Sequence, residues 1–151
     1  MDIRSKLEYP AGALTNFAPF TFEIDGVKCA SMEGFLQSLK ADDQLIQKEI
    51  CQMVGIEAKN WGNEHNIVWK ETQTLYWQGR EYDRQGDEYQ KLIDRAYDEL
   101  AKNEEFRKAL LATGQEMLTH SIGKSDPFET ILTEDEFCSR LMKLRSKISS
   151  L

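Results

Sequence analysis

Cysteine, proline and long apolar runs are all scarce in this chain, and each shortage excludes a class of protein. The three cysteines, Cys29, Cys51 and Cys138, are widely spaced and form no C-x-x-C pair. We therefore expect reduced, buried thiols rather than a disulfide framework or a zinc knuckle. Only three prolines and nine glycines are present, which argues against a disordered or collagenous chain. No apolar run approaches the ~20 residues that span a bilayer, and residues 1–6 carry no secretory signal, so we expect a cytoplasmic protein without membrane contact.

Length and charge narrow the kinds of ligand that the chain can hold. With 151 residues, 40% of them hydrophobic and 30% charged, the sequence predicts one globular domain over residues 1–151. The net charge of −7 argues against broad nucleic-acid binding, which depends on many Lys and Arg contacts to phosphate. A small anionic ligand in a local basic pocket remains compatible with this charge.

Motifs for metals and cofactors are missing as well. His65 and His120 lie far apart in the sequence, and neither has a metal-ligand partner at helical spacing. We therefore predict no metal site. No P-loop and no G-x-G-x-x-G motif is present, and we expect the protein to work without a cofactor.

The first half of the chain contains signals for a hairpin followed by helices. Residues 20–29 alternate apolar and polar residues, and Asp25-Gly26 suits the positive φ angles of a two-residue hairpin turn. Ser31 is a candidate N-cap for a helix whose apolar residues recur at helical spacing. A second helix is predicted from about Asp42 to Val54, with Gly55 as its stop.

The second half is predicted to be helical after a segment without clear periodicity. Residues 56–84 receive no assignment. Apolar spacing predicts helices over 87–102 and 104–113, the second ended by Gly114. A last helix begins at Thr133, where Glu136 completes a capping box, and it buries Phe137, Leu141, Leu144 and Ile148. The fold class is therefore α+β and mostly helical, a single domain with a small hairpin or sheet against about five to seven helices.

Three polar residues of the first predicted helix share one face. Glu33 lies one turn from Gln37 and two turns from Lys40, so the three side chains can lie beside one another. From spacing alone, the simpler interpretation is a solvated face with Glu33 favouring the helix dipole. The pattern by itself does not identify a catalyst.

Four sequence blocks, in order, resemble the NADAR family of N-glycosidases. The first is L-T-N-F at residues 14–17, and the second is I-D-G-V-K-C-A-S-M-E-G-F-L-Q-S-L-K at residues 24–40, which places Glu33, Gln37 and Lys40 on the family's Glu, Gln and Lys. The third is R-K-A-L-L-A-T-G at residues 107–114, and the fourth is L-M-K-L-R at residues 141–145. The resemblance therefore extends over most of the chain.

The resemblance implies hydrolysis of an N-glycosidic bond between ribose and a base. The ligand would be a ribosylated nucleotide, either a phosphoribosylamino-pyrimidine intermediate of riboflavin synthesis or an ADP-ribosylated base. A fixed carboxylate can stabilise the oxocarbenium-like state of such a reaction and activate water. The residues implied are Glu33 and Asp126 as catalytic groups, and Asn16, Phe17, Gln37, Lys40 and Trp77 as substrate-binding groups.

The chain departs from the family pattern at two places. Gly34 stands where a histidine often follows the glutamate, and of the late D-x-x-W-G-x-G motif only Asp126 is clear, with Phe128 the nearest aromatic residue. Trp77 is either a base-stacking residue or a packing residue. Two alternatives therefore stay open beside the enzyme: a module that binds ADP-ribose or a related nucleotide without cleaving it, and a protein-interaction factor on the same fold.

Overall fold

The structure is a computed structural model that describes residues 1–150. Within this range the chain forms seven α-helices and two short antiparallel hairpins. The strands are β1 Phe22–Ile24, β2 Val27–Cys29, β3 Thr74–Trp77 and β4 Arg80–Asp83. The helices are α1 Met32–Ser38, α2 Gln44–Cys51, α3 Gly55–Glu64, α4 Asn66–Thr72, α5 Asp87–Leu100, α6 Glu104–Ala112 and α7 Glu134–Ser149, and a 3-10 turn covers Ala11–Leu14. The predicted α+β class and the number of helices are confirmed.

The first hairpin forms where the alternation and the Asp-Gly turn predicted it. Phe22 pairs with Cys29 and Ile24 with Val27, while the turn residues Asp25 and Gly26 have φ angles of 50° and 79°. These positive angles match the twist of the flanking strands, which is why Asp-Gly is favoured there. The Asp25 carboxylate also attaches the turn to the rest of the molecule, since it accepts hydrogen bonds from Trp77 and Arg95.

A second hairpin lies in the segment that received no assignment. Strands β3 and β4 pair antiparallel, and Gln78 and Gly79 form the turn with φ angles of 51° and 79°. The sequence did not predict this turn, because its first residue is a glutamine, and glutamine rarely adopts positive φ. The Tyr76 amide donates to the Leu39 carbonyl at 2.8 Å, which attaches this hairpin to the end of α1.

Helix α1 begins after Ser31, as predicted. The Ser31 hydroxyl accepts from the Gly34 amide at 3.0 Å and donates to the Met53 carbonyl at 2.8 Å. Helix α2 ends at Cys51 rather than near Val54, and Gly55 begins α3 instead of stopping α2, so that boundary is wrong. The cause is that the carbonyl oxygens of Cys51 and Met53 accept from the chain entering α1 instead of from a further helical turn.

The last three helices occupy nearly their predicted ranges. Asn103 caps α6, and Gly114 follows it with a φ of 65°. At α7 the predicted capping box is present: the Thr133 amide donates to Glu136 Oε1 at 2.8 Å, and the Glu136 amide donates to Thr133 Oγ1 at 3.1 Å. The reciprocal pair satisfies two amides that a helix start leaves without partners.

One hydrophobic core joins residues from both ends of the chain, from Ile3 to Ile148. The cysteines Cys29, Cys51 and Cys138 are buried free thiols, as predicted. Among residues 1–150, no helix combines the length and the apolar character that a membrane crossing requires.

Candidate functional site

A cavity of about 430 Å³ opens beside the start of α1. Most of its wall comes from four places: the loop before the first hairpin, one face of α1, helices α3 and α4, and the segment 120–133 that precedes α7. Elements distant in sequence therefore enclose one space, and a cavity of this size is typical of a small-molecule site.

Glu33 lines this cavity with only 9% of its surface exposed. Its carboxylate Oε1 accepts from Gln37 Nε2 at 2.9 Å, and its backbone amide donates to the Asn16 carbonyl at 2.9 Å. Burial raises the pKa of Glu33, while the Gln37 amide and the positive charges of Lys59, Lys40 and His120 lower it in part. Spacing alone had favoured a solvated helix face, and the structure shows a buried carboxylate instead.

Two glycines allow this burial. A Cβ on Gly34 would lie 2.6 Å from the Met53 carbonyl oxygen, and one on Gly62 would lie 1.7 Å from Gln37 Oε1. Helix α1 therefore packs closely against the end of α2 and against α3, which leaves no room for the histidine of the family pattern at position 34. The departure at Gly34 thus has a packing cause.

Gln37 holds the carboxylate from one side only. A carboxylate accepts hydrogen bonds, so the NH₂ group of Gln37 must face Glu33. Its Oε1 then lies against Gly62 and is buried without a partner among the described residues. The amide therefore orients Glu33 while its own oxygen stays unpaired, which is unfavourable for stability.

Three lysines bring positive charge to the same cavity. Lys40 Nζ donates to Asn66 Oδ1 at 2.6 Å and to the Gly62 carbonyl at 3.1 Å, and burial lowers the pKa of Lys40 to about 8. Lys59 and Lys124 are exposed at the cavity wall. A chain with a net charge of −7 thus concentrates cations where an anionic ligand would enter.

Asn16 and Phe17 also line the cavity. Asn16 Oδ1 accepts from the buried Tyr97 hydroxyl at 2.7 Å. Its NH₂ group makes no hydrogen bond within residues 1–150 and can donate to a ligand. Lys59 Nζ lies 5.9 Å from the centre of the Phe17 ring. Five of the seven residues implied by the resemblance therefore meet here: Asn16, Phe17, Glu33, Gln37 and Lys40.

The other two lie elsewhere. Trp77 is buried in the core, where its ring centre lies 4.9 Å from that of Phe35 and its Nε1 donates to Asp25 Oδ2 at 2.8 Å. Asp126 is exposed, and its Oδ1 accepts from the Phe128 amide at 2.9 Å in a turn. Neither residue lines the cavity.

Sequence reasoning missed several side chains that line the cavity. Trp69 is 2% exposed, and its Nε1 donates to Asn66 Oδ1 at 3.0 Å. The i, i+3 spacing of Asn66 and Trp69 was a usable signal once α4 was recognised. Lys59 and His120 carried no such signal, because only the tertiary fold brings them to Glu33.

The last two blocks of the family resemblance have a structural role in this chain. Arg145 Nη1 donates to Thr113 Oγ1 at 2.8 Å, so these blocks join α7 to the end of α6, and neither residue lines the cavity. The first two blocks, by contrast, form the Asn16, Phe17 and α1 side of the cavity.

The fold has a counterpart among solved structures. The structure is similar to the NMR structure of the Escherichia coli protein YbiA, with a TM-score of 0.60 and 17% sequence identity over 93% of this chain and 79% of that one. The likeness to YbiA confirms the predicted α+β fold.

The chain belongs to the family described as bacteriophage protein GP30.3, whose model matches residues 8–146. It is 35% identical over 150 residues to the protein named "Uncharacterized 17.1 kDa protein in Gp30-rIII intergenic region" of Enterobacteria phage T4, with 98% of each chain covered.

Proposed function

We propose that this protein hydrolyses the N-glycosidic bond of a ribosylated base, with Glu33 as the catalytic carboxylate. The observation that carries the proposal is the burial of Glu33, held by Gln37, in the wall of a cavity that lysines also line. A carboxylate removed from water at a concave site is a recurrent feature of active sites, because burial costs stability and is retained for chemistry.

The proposed reaction proceeds through positive charge at the ribose anomeric carbon. The Glu33 carboxylate stabilises this oxocarbenium-like state and accepts a proton from the attacking water. Low exposure strengthens the attraction between the two charges, and the raised pKa of Glu33 makes the carboxylate a better base near neutral pH.

The walls of the cavity fit the rest of such a substrate. Lys40, Lys59 and Lys124 supply the positive charge that phosphate groups require. The free NH₂ group of Asn16 can orient a ribose hydroxyl or a base carbonyl, and the rings of Phe17 and Trp69 offer apolar surface to the sugar or the base. We propose a phosphoribosylamino-pyrimidine or an ADP-ribosylated base as the substrate.

The test is release of free base by the wild-type protein from a phosphoribosylamino-pyrimidine, ADP-ribosyl-guanosine and NAD, followed by chromatography. A matched C-linked glycoside, which has no N-glycosidic bond, should bind without releasing a product. Release from at least one N-linked compound is the expected result. Absence of release from all three, at protein concentrations that saturate binding, contradicts the proposal.

A module that binds nucleotide without cleaving it is the second candidate function. It is favoured by one observation, that Asp126, the residue retained from the late family motif, lies outside the cavity in a surface turn. Nucleotide-dependent thermal stabilisation without any base release identifies this alternative, because a ligand that binds only the folded state stabilises it by mass action.

Replacing Lys59 with Gln should weaken binding of phosphate-bearing substrates. A hydrogen bond to a charged group contributes about 1.5–3 kcal/mol, and the solvent exposure of Lys59 reduces this, so we expect KM to rise roughly tenfold. Phosphate-free analogues should be little affected. The measurement is KM for matched pairs of substrates with and without the 5-phosphate.

Lys102→Gln is the control for this experiment, because Lys102 is an exposed lysine that pairs with Glu99 and does not line the cavity. Equal KM changes in the two variants would mean that Lys59 acts only through the net charge of the protein.

A further inference from the structure

His120 is fixed at the cavity wall by the N-terminal residues of the chain. The Ile3 amide donates to the Thr119 carbonyl at 2.7 Å, and the Thr119 amide donates to the Met1 carbonyl at 2.9 Å. The Asp2 carboxylate accepts from the amide and the hydroxyl of Ser121, at 2.8 and 2.6 Å. These bonds on both sides of His120 hold its backbone in one position.

The imidazole of His120 has a defined orientation and one free nitrogen. Nδ1 lies 2.7 Å from the Ile3 carbonyl oxygen, and because a carbonyl only accepts, Nδ1 carries a hydrogen in both charge states. Nε2 makes no hydrogen bond to any residue in the described range and is not among the buried polar atoms that lack a partner. The free nitrogen is therefore open to water or to a ligand.

Packing fixes the ring plane as well. The ring centre lies 5.3 Å from that of Phe137 in an edge arrangement, and a Cβ on Gly123 would lie 2.6 Å from His120 Cδ2. Both His120 and Glu33 line the cavity, and a positive charge on His120 lowers the pKa of Glu33. Glu33 and His120, 87 positions apart in the sequence, therefore line the same cavity.

We propose that His120 is the general acid of this site and that its Nε2 gives a proton to the amine nitrogen of the departing base. The assignment rests on the proposed N-glycosidase function. Amine-linked bases need such a donor, since the exocyclic nitrogen of an aminopyrimidine or of guanine is a very poor leaving group as an anion.

The proton balance of the step is complete with these two residues and one water. The C1′–N bond breaks and its electron pair goes to the base nitrogen, which takes the proton from His120 Nε2. Water adds its oxygen to C1′ and gives a proton to Glu33. The products are the neutral base and the free sugar, and the proton on Glu33 returns to His120 through solvent before the next turnover.

The chain contains a matched control in its other histidine. His65 Nδ1 also lies 2.7 Å from a backbone carbonyl, that of Trp61, on whose ring His65 stacks at 3.9 Å. His65 is exposed and does not line the cavity. His120→Asn and His65→Asn each keep an amide donor near the position of Nδ1 and remove Nε2.

The experiment measures release of the leaving group from two substrates, an amine-linked phosphoribosyl-pyrimidine and p-nitrophenyl ribofuranoside 5-phosphate. It compares the wild type, His120→Asn and His65→Asn. We expect kcat of His120→Asn on the amine-linked substrate to fall by roughly 10²–10⁴-fold with KM little changed. On the p-nitrophenyl compound, whose phenolate leaves without a proton, its kcat should stay within about threefold of the wild type. His65→Asn should match the wild type on both.

A loss of kcat of similar size on both substrates, or no loss on either, overturns the assignment. Unfolding midpoints equal to that of the wild type exclude misfolding as the cause of a loss. A second measurement tests contact directly. In Glu33→Gln with intact substrate bound, the ¹⁵N resonance of His120 Nε2 should shift while that of His65 stays, and an unmoved His120 resonance overturns the proposal. If the wild type releases no base at all, the glycosidase proposal fails and the role of His120 fails with it.

Discussion

Glu33→Gln is expected to abolish base release while leaving substrate binding largely intact. The amide is nearly the same size as the carboxylate and can still bond to Gln37, but it carries no charge and accepts no proton. Loss of the base and of the charge that stabilises the oxocarbenium-like state should lower kcat by roughly 10³-fold or more. The measurement is single-turnover base release, which separates chemistry from product dissociation.

Glu129→Gln is the matched control, since it removes a second carboxylate from the same cavity. Glu129 is exposed and pairs with Lys70 at 3.1 Å. Glu129 has neither the burial nor the amide partner of Glu33, so kcat of Glu129→Gln should differ from that of the wild type by less than about threefold. Similar losses in both variants would show that the cavity needs negative charge in general and would remove the specific role of Glu33.

The same Glu33→Gln variant should unfold at a higher temperature than the wild type at neutral pH. Burial raises the pKa of Glu33 in the folded protein above its value in the unfolded chain, so the stability contribution of this group is complete below the unfolded pKa. It is lost as the pH rises through the folded pKa. The uncharged amide of the variant does not titrate and has no such dependence.

The gain in the unfolding midpoint of the variant should therefore grow as the pH rises from about 5 to about 8. Thermal unfolding of both proteins across this range is the measurement. A variant less stable than the wild type at every pH would mean that the carboxylate has stabilising partners that outweigh its burial. Loss of activity together with a gain in stability is the expected signature of a catalytic group.

Local signals predicted much of the fold and one side of the site. The Asp25-Gly26 turn, the Ser31 cap and the Thr133 capping box each depend on residues within a few positions of one another, and all three are present. The Glu33 and Gln37 pair is equally local, since one helical turn separates the two residues. Its burial was not readable, because Gly34 and Gly62 allow it only through tertiary packing.

The opposite side of the site depends on contacts that no local pattern encodes. His120 bonds to Ile3, 117 positions away. Chain position also did not show which tryptophan lines the cavity. Trp77 donates its Nε1 hydrogen to Asp25 in the hairpin turn, whereas Trp69 lines the cavity and donates to Asn66. The resemblance supplied residue types at matched positions, while the enclosing wall comes from long-range pairing.

Arg84→Met should cause the largest loss of stability among the substitutions considered. Arg84 is 1% exposed, and its guanidinium donates to both Glu136 oxygens, at 2.7 and 3.2 Å, and to the Thr130 carbonyl at 2.9 Å. Removing it leaves a partly buried carboxylate without its cation, which costs about 3–5 kcal/mol when a buried pair is broken. The measurement is the free energy of unfolding in urea.

Arg95→Met is the control, because Arg95 also forms a two-bond ion pair, with Asp25, but at the surface. Water screens this pair, so we expect a loss below about 1 kcal/mol.

The double variant Arg84→Met/Glu136→Gln should recover part of the stability that Arg84→Met loses, since no uncompensated charge remains. Since Arg84 holds the carbonyl of Thr130, a residue of the cavity wall, the single variant should also bind substrate more weakly. Equal losses in Arg84→Met and Arg95→Met would mean that burial of the Arg84 pair adds nothing to stability.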